Sequence, residues 1–218
     1  MAIKKKDLVS LIQQTKGFLK PKIELEQYCI DSLSAVDIAY FAGVENNDIK
    51  NKLVIDLGAG TGRLSIACAY LGVSYVISVD IDMSALRILK ANVHMLDLDH
   101  IILPVCSDVN YFDISREVLH KDLQITTIEN PPFGVQSRTA DRYFLQKAFS
   151  FSDVVYSIHL ANEKVHSFLS RFIKKFNWKI DYVFPFQLKL DRVYEFHTKK
   201  TKLVDVDIYR FKRKEEGK

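Results

Sequence analysis

The chain has 218 residues, 48% of them apolar and 27% charged, with a formal net charge of +4. That length suits one well-buried domain, and the balance is that of a soluble globular protein. No apolar run reaches the roughly eighteen residues of a membrane span, and no apolar segment follows the basic residues 1–7 as a secretory signal requires.

The predicted elements alternate. Residues 8–16 and 23–42 read as helices interrupted by Gly17 and Pro21, with Leu8, Leu11 and Ile12, then Leu33, Val36, Ala39 and Tyr40, at roughly helical spacing. Residues 52–57 form a buried strand ending on Asp56-Leu57, followed by Gly58-Ala59-Gly60-Thr61-Gly62 and a helix over 63–70. A strand over 75–79 ends before Asp80, and Asp82 caps a helix running to about Leu96. Strands over 101–106 and 123–128 follow, the latter running into Asn130-Pro131-Pro132-Phe133-Gly134. A helix near 141–149, a strand over 154–158 and a helix capped by Asn162 and running to Lys174 complete five β-α units. Residues 178–190 and 203–211 are strands joined by a loop too short and polar for a crossover helix, so they pair as an antiparallel hairpin. The chain is one domain, with residues 1–45 a helical cap contributing to the site and 46–218 the α/β core.

Charge is unevenly spread. Residues 171–218 hold 14 Lys/Arg against 7 Asp/Glu, and the first 22 residues carry Lys4, Lys5, Lys6, Lys16, Lys20 and Lys22 against Asp7. Both ends offer cations to a phosphate backbone, although a lysine-rich solvated face has the same composition. The three cysteines, Cys29, Cys68 and Cys106, show no Cys-x-x-Cys spacing; they fit reduced thiols in a cytoplasmic compartment and argue against a zinc site in this chain.

The glycine loop lets backbone approach a ligand closely, and its third glycine comes one residue earlier than the dinucleotide fingerprint requires. Asp56 before the loop suits an ammonium and repels a pyrophosphate. Asp80 suits two ribose hydroxyls, and Asp108 an adenine amino group. These features fit S-adenosylmethionine. The Asn-Pro-Pro-Phe turn supplies the complementary chemistry. The Asn130 side-chain oxygen and the Pro131 carbonyl accept both hydrogens of an amine, the aromatic ring stacks on the group that carries it, and two prolines pre-set the turn. Alone, a proline pair after a strand is a stop signal. In order behind a cofactor loop and two strand-end acids, it marks the carboxyl edge where open α/β sheets bind ligands.

These residues, with Leu25-Glu26-Gln27-Tyr28, Tyr156-Ser157-Ile158-His159 and Tyr194-Glu195-Phe196-His197 before Lys199-Lys200, resemble the methyltransferase-like protein five family of ribosomal RNA adenine methyltransferases, in an archaeal-type form. The resemblance covers most of the chain and departs at Cys29-Ile30, where the family has a Thr two residues after the Tyr. It implies a Rossmann-like class I methyltransferase fold: a seven-stranded, mostly parallel sheet of order 3-2-1-4-5-7-6 with the last strand antiparallel and helices on both faces. It implies S-adenosylmethionine contacts at Gln27, Tyr28, Asp56, Gly58, Gly60, Thr61, Gly62, Leu64, Asp80, Ile81, Asp108, Val109 and Asn130. Amine chemistry falls to Asn130, Pro131, Pro132 and Phe133, and RNA contacts to Lys199, Lys200, His197, Lys4, Lys5 and Lys6, with no metal. The expected reaction is methylation of an adenine 6-amino group in RNA, small-subunit ribosomal RNA foremost. Glutamine methylation of release factors, guanine amino methylation of ribosomal RNA and a non-catalytic RNA-binding module remain as alternatives. The resemblance also implies a small zinc-ribbon activator subunit pairing with an edge strand at 101–106.

Overall fold

A computed structural model of the chain describes residues 3–133, 140–191 and 201–214. The sheet has seven strands in the order β3-β2-β1-β4-β5-β7-β6. They are β1 (Leu53–Leu57), β2 (Tyr75–Asp80), β3 (Ile102–Cys106), β4 (Ile125–Glu129), β5 (Val154–Leu160), β6 (Trp178–Asp191) and β7 (Thr201–Arg213). The strands β3-β2-β1-β4-β5 run parallel, and β7 is antiparallel to both β5 and β6. Strands β1 and β4, in the middle, are buried at every residue; β1 accordingly opens on the apolar run Leu53-Val54-Ile55, while the β4 hydroxyls of Thr126 and Thr127 are bonded to Asp48 O and Ser152 Oγ at 2.6 Å each.

Helices α1 (Lys5–Gln13), α2 (Ser32–Tyr40), α3 (Arg63–Ala69) and α4 (Met83–Met95) pack on one face, and α5 (Ala140–Phe151) and α6 (Glu163–Phe172) on the other. Each face carries its own apolar cluster. Leu8, Ile12, Ile38, Ile66 and Leu89 belong to the first, and Leu145, Phe149, Trp178 and Phe211 to the second. Behind β5, Arg210 pairs with Asp48 at 2.8 Å and also donates to Tyr156 Oη at 2.9 Å, tying the terminal hairpin to the turn before β1.

The expected helix over 23–42 is corrected. A single 3-10 turn at Ile23–Leu25 ends where Glu26 adopts φ +50°, and a helix resumes only at Ser32, with the Asp31 side chain accepting from Ser34 N. Leu33, placed on the buried face by spacing, is 54% exposed; Val36 and Ala39, placed there with it, are buried, as are Ala35 and Ile38. The apolar residues between the turn and α2 wall a cavity, so their spacing does not report a helix.

Register positions the site. Leu57 lies opposite both Val79 and Glu129, so the chain leaves β1, β2 and β4 at the same level. The glycine loop, Asp80 and Asn130 therefore emerge side by side on one edge, with Asp108 arriving from the end of β3, whose Cys106 pairs with Asp80.

Candidate active site

A cavity of about 400 Å³ opens at that edge. Its floor is the glycine loop, where Gly58 N and Ala59 N both donate to Val79 O at 2.8 and 2.9 Å. Gly58 (φ +74°) and Gly60 (φ +54°) sit in the left-handed region, and a Cβ on either would meet an aromatic ring, that of Phe144 at 3.0 Å and that of Phe18 at 2.9 Å. Both rings line the cavity, Phe18 from the segment after α1 and Phe144 from α5. Gly62 does not line it; at φ +90° it caps α3, and a Cβ there would strike Leu89 at 2.7 Å. Its glycine is required by helix packing.

Three acids face the cavity from the strand ends. Asp56 is 1% exposed, and its Oδ2 accepts from Ser65 N at 3.0 Å and Ser65 Oγ at 2.5 Å. Its Oδ1 is buried and, among the described residues, has no hydrogen-bond partner. Burial pushes this carboxyl up to about 7, Ser65 pulls it down in part, and the nearby Asp80 charge adds to the rise. Asp80 Oδ2 accepts from Gly60 N at 2.7 Å and its Oδ1 from Asp82 N at 2.8 Å, so the acid also shapes the loop. Asp108 Oδ1 accepts from Asn110 N and Nδ2 at 2.8 and 2.9 Å. A buried carboxylate oxygen with no partner is what an ammonium would satisfy, and strand-end acids suit hydroxyl and amino donors. The residues fit S-adenosylmethionine.

The chain between α1 and α2 forms the outer wall. Lys22 Nζ and Gln27 Nε2 each reach Asp82 at 2.9 Å, and Gln27 Oε1 accepts from Lys22 N at 2.9 Å. Arg63 donates to Ile30 O at 2.7 Å and Thr15 Oγ1 at 3.2 Å, fastening both ends of the segment to the start of α3. Cys29 Sγ lies 3.5 Å from Thr61 Oγ1, and Ile30, two residues after Tyr28, brings no hydroxyl to the cavity. Tyr28 OH donates to Asn130 Oδ1 at 2.7 Å, and its ring centroid is 5.9 Å from that of Phe133.

Of the residues read from sequence, Gln27, Tyr28, Asp56, Gly58, Gly60, Thr61, Leu64, Asp80, Ile81, Asp108, Val109, Asn130 and Pro132 line this cavity. Pro131 and Phe133 do not; Pro131 is buried, and Phe133 packs against the first apolar cluster and beside the Tyr28 ring. Lys4, Lys5 and Lys6 are exposed at the start of α1, away from the cavity, and Lys5 pairs with Asp37 at 2.9 Å. Gly134, His197, Lys199 and Lys200 lie outside the described residues. His159 is 3% exposed, and burial lowers its imidazole to about 3, so it is a neutral core residue bonded to Ser157 Oγ at 2.8 Å. Phe18, Arg63, Asn110, Tyr143 and Phe144 line the cavity without having been read from the sequence. Arg63 alone carried a local signal, as the residue that opens the helix after the loop.

Glu129, immediately before Asn130, is fully buried, and among the described residues neither carboxyl oxygen has a close hydrogen-bond partner. Ser157, opposite it on β5, bonds His159 at 2.8 Å. Burial pushes the Glu129 carboxyl up to about 8, the nearby Ser157 hydroxyl pulls it down in part, and the Asp141 charge adds to the rise. A carboxyl whose folded pKa is raised binds its proton more tightly when folded. It therefore costs stability increasingly as pH rises from the unfolded value near 4.5 to about 8, and no further above that. Glu129→Gln is expected to be more stable than wild type, with the difference growing by about 1.4 kcal/mol per pH unit across that window. Urea unfolding at pH 5, 7 and 9 measures it; a pH-independent difference refutes the assignment.

Comparison with known proteins places these features in a family. The model of the TRM5/TYW2 methyltransferase domain matches residues 39–128. An uncharacterized protein of Methanocaldococcus jannaschii is 37% identical over 97% of this chain and 95% of that protein. The rRNA N(6)-adenosine-methyltransferase METTL5 of Danio rerio is 36% identical over 96% of this chain and 99% of that protein. A solved Pyrococcus horikoshii structure, provisionally described as an RNA methyltransferase, superposes with a TM-score of 0.85 at 37% identity, covering 98% of this chain and 99% of that one.

Proposed function

This chain belongs to the METTL5 family of rRNA N(6)-adenosine-methyltransferases, and from that premise we propose that it methylates the 6-amino group of an adenine in small-subunit ribosomal RNA. The methyl donor is S-adenosylmethionine, which when bound supplies a sulfonium methyl open to attack. Asp56 Oδ1 would receive its ammonium, Asp80 its ribose hydroxyls and Asp108 its adenine amine, with Phe18 and Phe144 enclosing the loop.

One observation carries the reading. Asn130 presents an amide oxygen at the mouth of a cavity whose floor is the glycine loop and whose walls carry three acids. An aromatic amine is a poor nucleophile because its lone pair is delocalised into the ring. Asn130 Oδ1 and the Pro131 carbonyl accept its two hydrogens and draw the nitrogen toward tetrahedral geometry, which frees that pair. Positive charge then develops against fixed oxygen acceptors, which need no reorganisation. Phe133 stacks on the base, a contact typically of ~1–3 kcal/mol, and a base within a helix is turned out to reach it. Mass spectrometry of ribosomal RNA nucleosides from a deletion strain tests the reading. Loss of one N6-methyladenosine, restored by the wild-type gene, is expected; an unchanged profile refutes it.

Lys199 and Lys200 are proposed as phosphate contacts. Charge reversal of both to Glu is expected to weaken RNA binding and to lower the log–log salt slope by roughly 0.7–0.9 per lost contact, with cofactor affinity unchanged. An unchanged slope in filter binding at several salt concentrations makes them a solvated face.

A zinc-ribbon activator pairing with β3 is proposed as well. Among the described residues, strand β3 is a sheet edge hydrogen-bonded to β2 alone, and it carries no charge to discourage a second partner. Ile102 is 1% exposed and belongs to the core, so the disrupting substitution belongs at Leu103, which is 46% exposed. Leu103→Lys is expected to abolish co-elution of the two subunits in gel filtration, and co-elution unaffected by it moves the interface elsewhere.

A further inference from the structure

We propose that Tyr28 holds the place of the target base in the free protein and gives it up when the base arrives. The proposal rests on the amine-methylating reading above. Two contacts point to it. The Tyr28 hydroxyl donates to Asn130 Oδ1 at 2.7 Å, occupying the acceptor that the base amine requires. The Tyr28 ring lies 5.9 Å from the Phe133 ring at an interplanar angle of 31°, over the ring on which the base stacks. A phenol O–H on the amide and a ring beside the phenylalanine reproduce, group for group, an amine N–H and a stacked purine.

The geometry excludes simultaneous occupancy. Two rings that sandwich a flat base stand about 7 Å apart, two contact layers of roughly 3.5 Å each. At 5.9 Å the gap is too narrow, so the base enters only when the tyrosine ring moves. The neighbouring backbone is held: Gln27 is fixed to Asp82 and Lys22, and Ile30 O to Arg63. The movement is therefore a side-chain rotation, with the ring becoming the second wall of the base pocket. Burial raises the phenol well above its ordinary range, so the hydroxyl remains a donor.

Two consequences follow for the reaction. In the free protein the hydroxyl keeps the amide oxygen turned toward the pocket and the ring keeps water from it. On binding, the bond that Tyr28 gives up is replaced only by a base that carries an amine. A base without a donor leaves Asn130 Oδ1 unpaired, which is how a polar site rejects an analogue.

The test compares wild type, Tyr28→Phe and Tyr28→Ala for tritiated methyl transfer to ribosomal RNA, with S-adenosylmethionine affinity by calorimetry and melting temperature as controls. Tyr28→Phe removes the competing hydrogen bond and keeps the ring. Its KM for RNA is expected to fall about two- to tenfold, the worth of one neutral hydrogen bond, whereas a hydroxyl that held the cofactor would show as weaker S-adenosylmethionine binding. Tyr28→Ala removes the second wall and is expected to lose about tenfold or more in kcat/KM. A Tyr28→Phe variant with unchanged or raised KM overturns the proposal, as does one whose kcat falls at constant KM, since the hydroxyl then acts in the transition state. Weakened cofactor binding in Tyr28→Phe overturns it in favour of a cofactor contact. Absence of transfer in the wild type refutes the RNA substrate itself, and is thereby distinguished from failure of the Tyr28 assignment.

Discussion

Asn130→Ala is expected to lower methyl transfer by about 100- to 1000-fold, the loss seen when one fixed partner of developing charge is removed. The side chain sits at the end of β4 and, among the described residues, its Oδ1 has one hydrogen-bonding partner, Tyr28. Truncation therefore deletes an acceptor from the reaction and costs the fold about 1 kcal/mol, one neutral hydrogen bond. Melting temperature should stay close to wild type while the rate collapses. Asn130→Asp keeps an acceptor oxygen in the same place, so it should retain more activity than the alanine variant. Tritiated methyl transfer to ribosomal RNA, run beside thermal melts, decides. An alanine variant above about a tenth of the wild-type rate would remove Asn130 from the centre of the chemistry.

The parts of this site that are visible in the sequence are those whose function and local structure coincide. Asp56 and Asp80 lie within the last two residues of β1 and β2 and Asn130 directly follows β4, and a parallel sheet brings strand ends to one edge regardless of how far apart they lie in the chain. The Gly-x-Gly-x-Gly loop is read the same way, although its last glycine serves Leu89 and not the ligand. Residues 26–31 resist reading because their apolar side chains wall a cavity, and wall positions follow the shape of the ligand instead of a helical period. Phe18 and Phe144 carry no local signature, since each becomes part of the site only by packing over a glycine that lies elsewhere in the chain. Glu129 is the sharpest case. Strand-end acids here read as ligand-facing, yet this carboxyl is fully buried and, among the described residues, without a close hydrogen-bond partner.

Asp80→Ala is expected to lose both the cofactor and part of the scaffold that receives it. The carboxylate is 8% exposed, and it holds Gly60 N at 2.7 Å and Asp82 N at 2.8 Å. Each of these is a bond to a charged group, worth ~1.5–3 kcal/mol, and alanine leaves two backbone donors without their acceptor. With ~2–4 °C of melting temperature per kcal/mol in a chain of this size, a fall of about 6–24 °C is expected. S-adenosylmethionine affinity should fall further than loop distortion alone explains, because the ribose hydroxyls lose their acceptor as well. Asp80→Asn separates the two effects. Its amide oxygen can still accept from one backbone donor, so much of the stability should return. Its NH2 meets the other donor or the ribose without accepting from either, so cofactor affinity should stay low. Differential scanning calorimetry gives the first quantity and isothermal titration the second. Wild-type cofactor affinity in the alanine variant would make Asp80 a loop-shaping residue alone, and recovery of both properties in the asparagine variant would show that the charge at the end of β2 is not what binds the ribose.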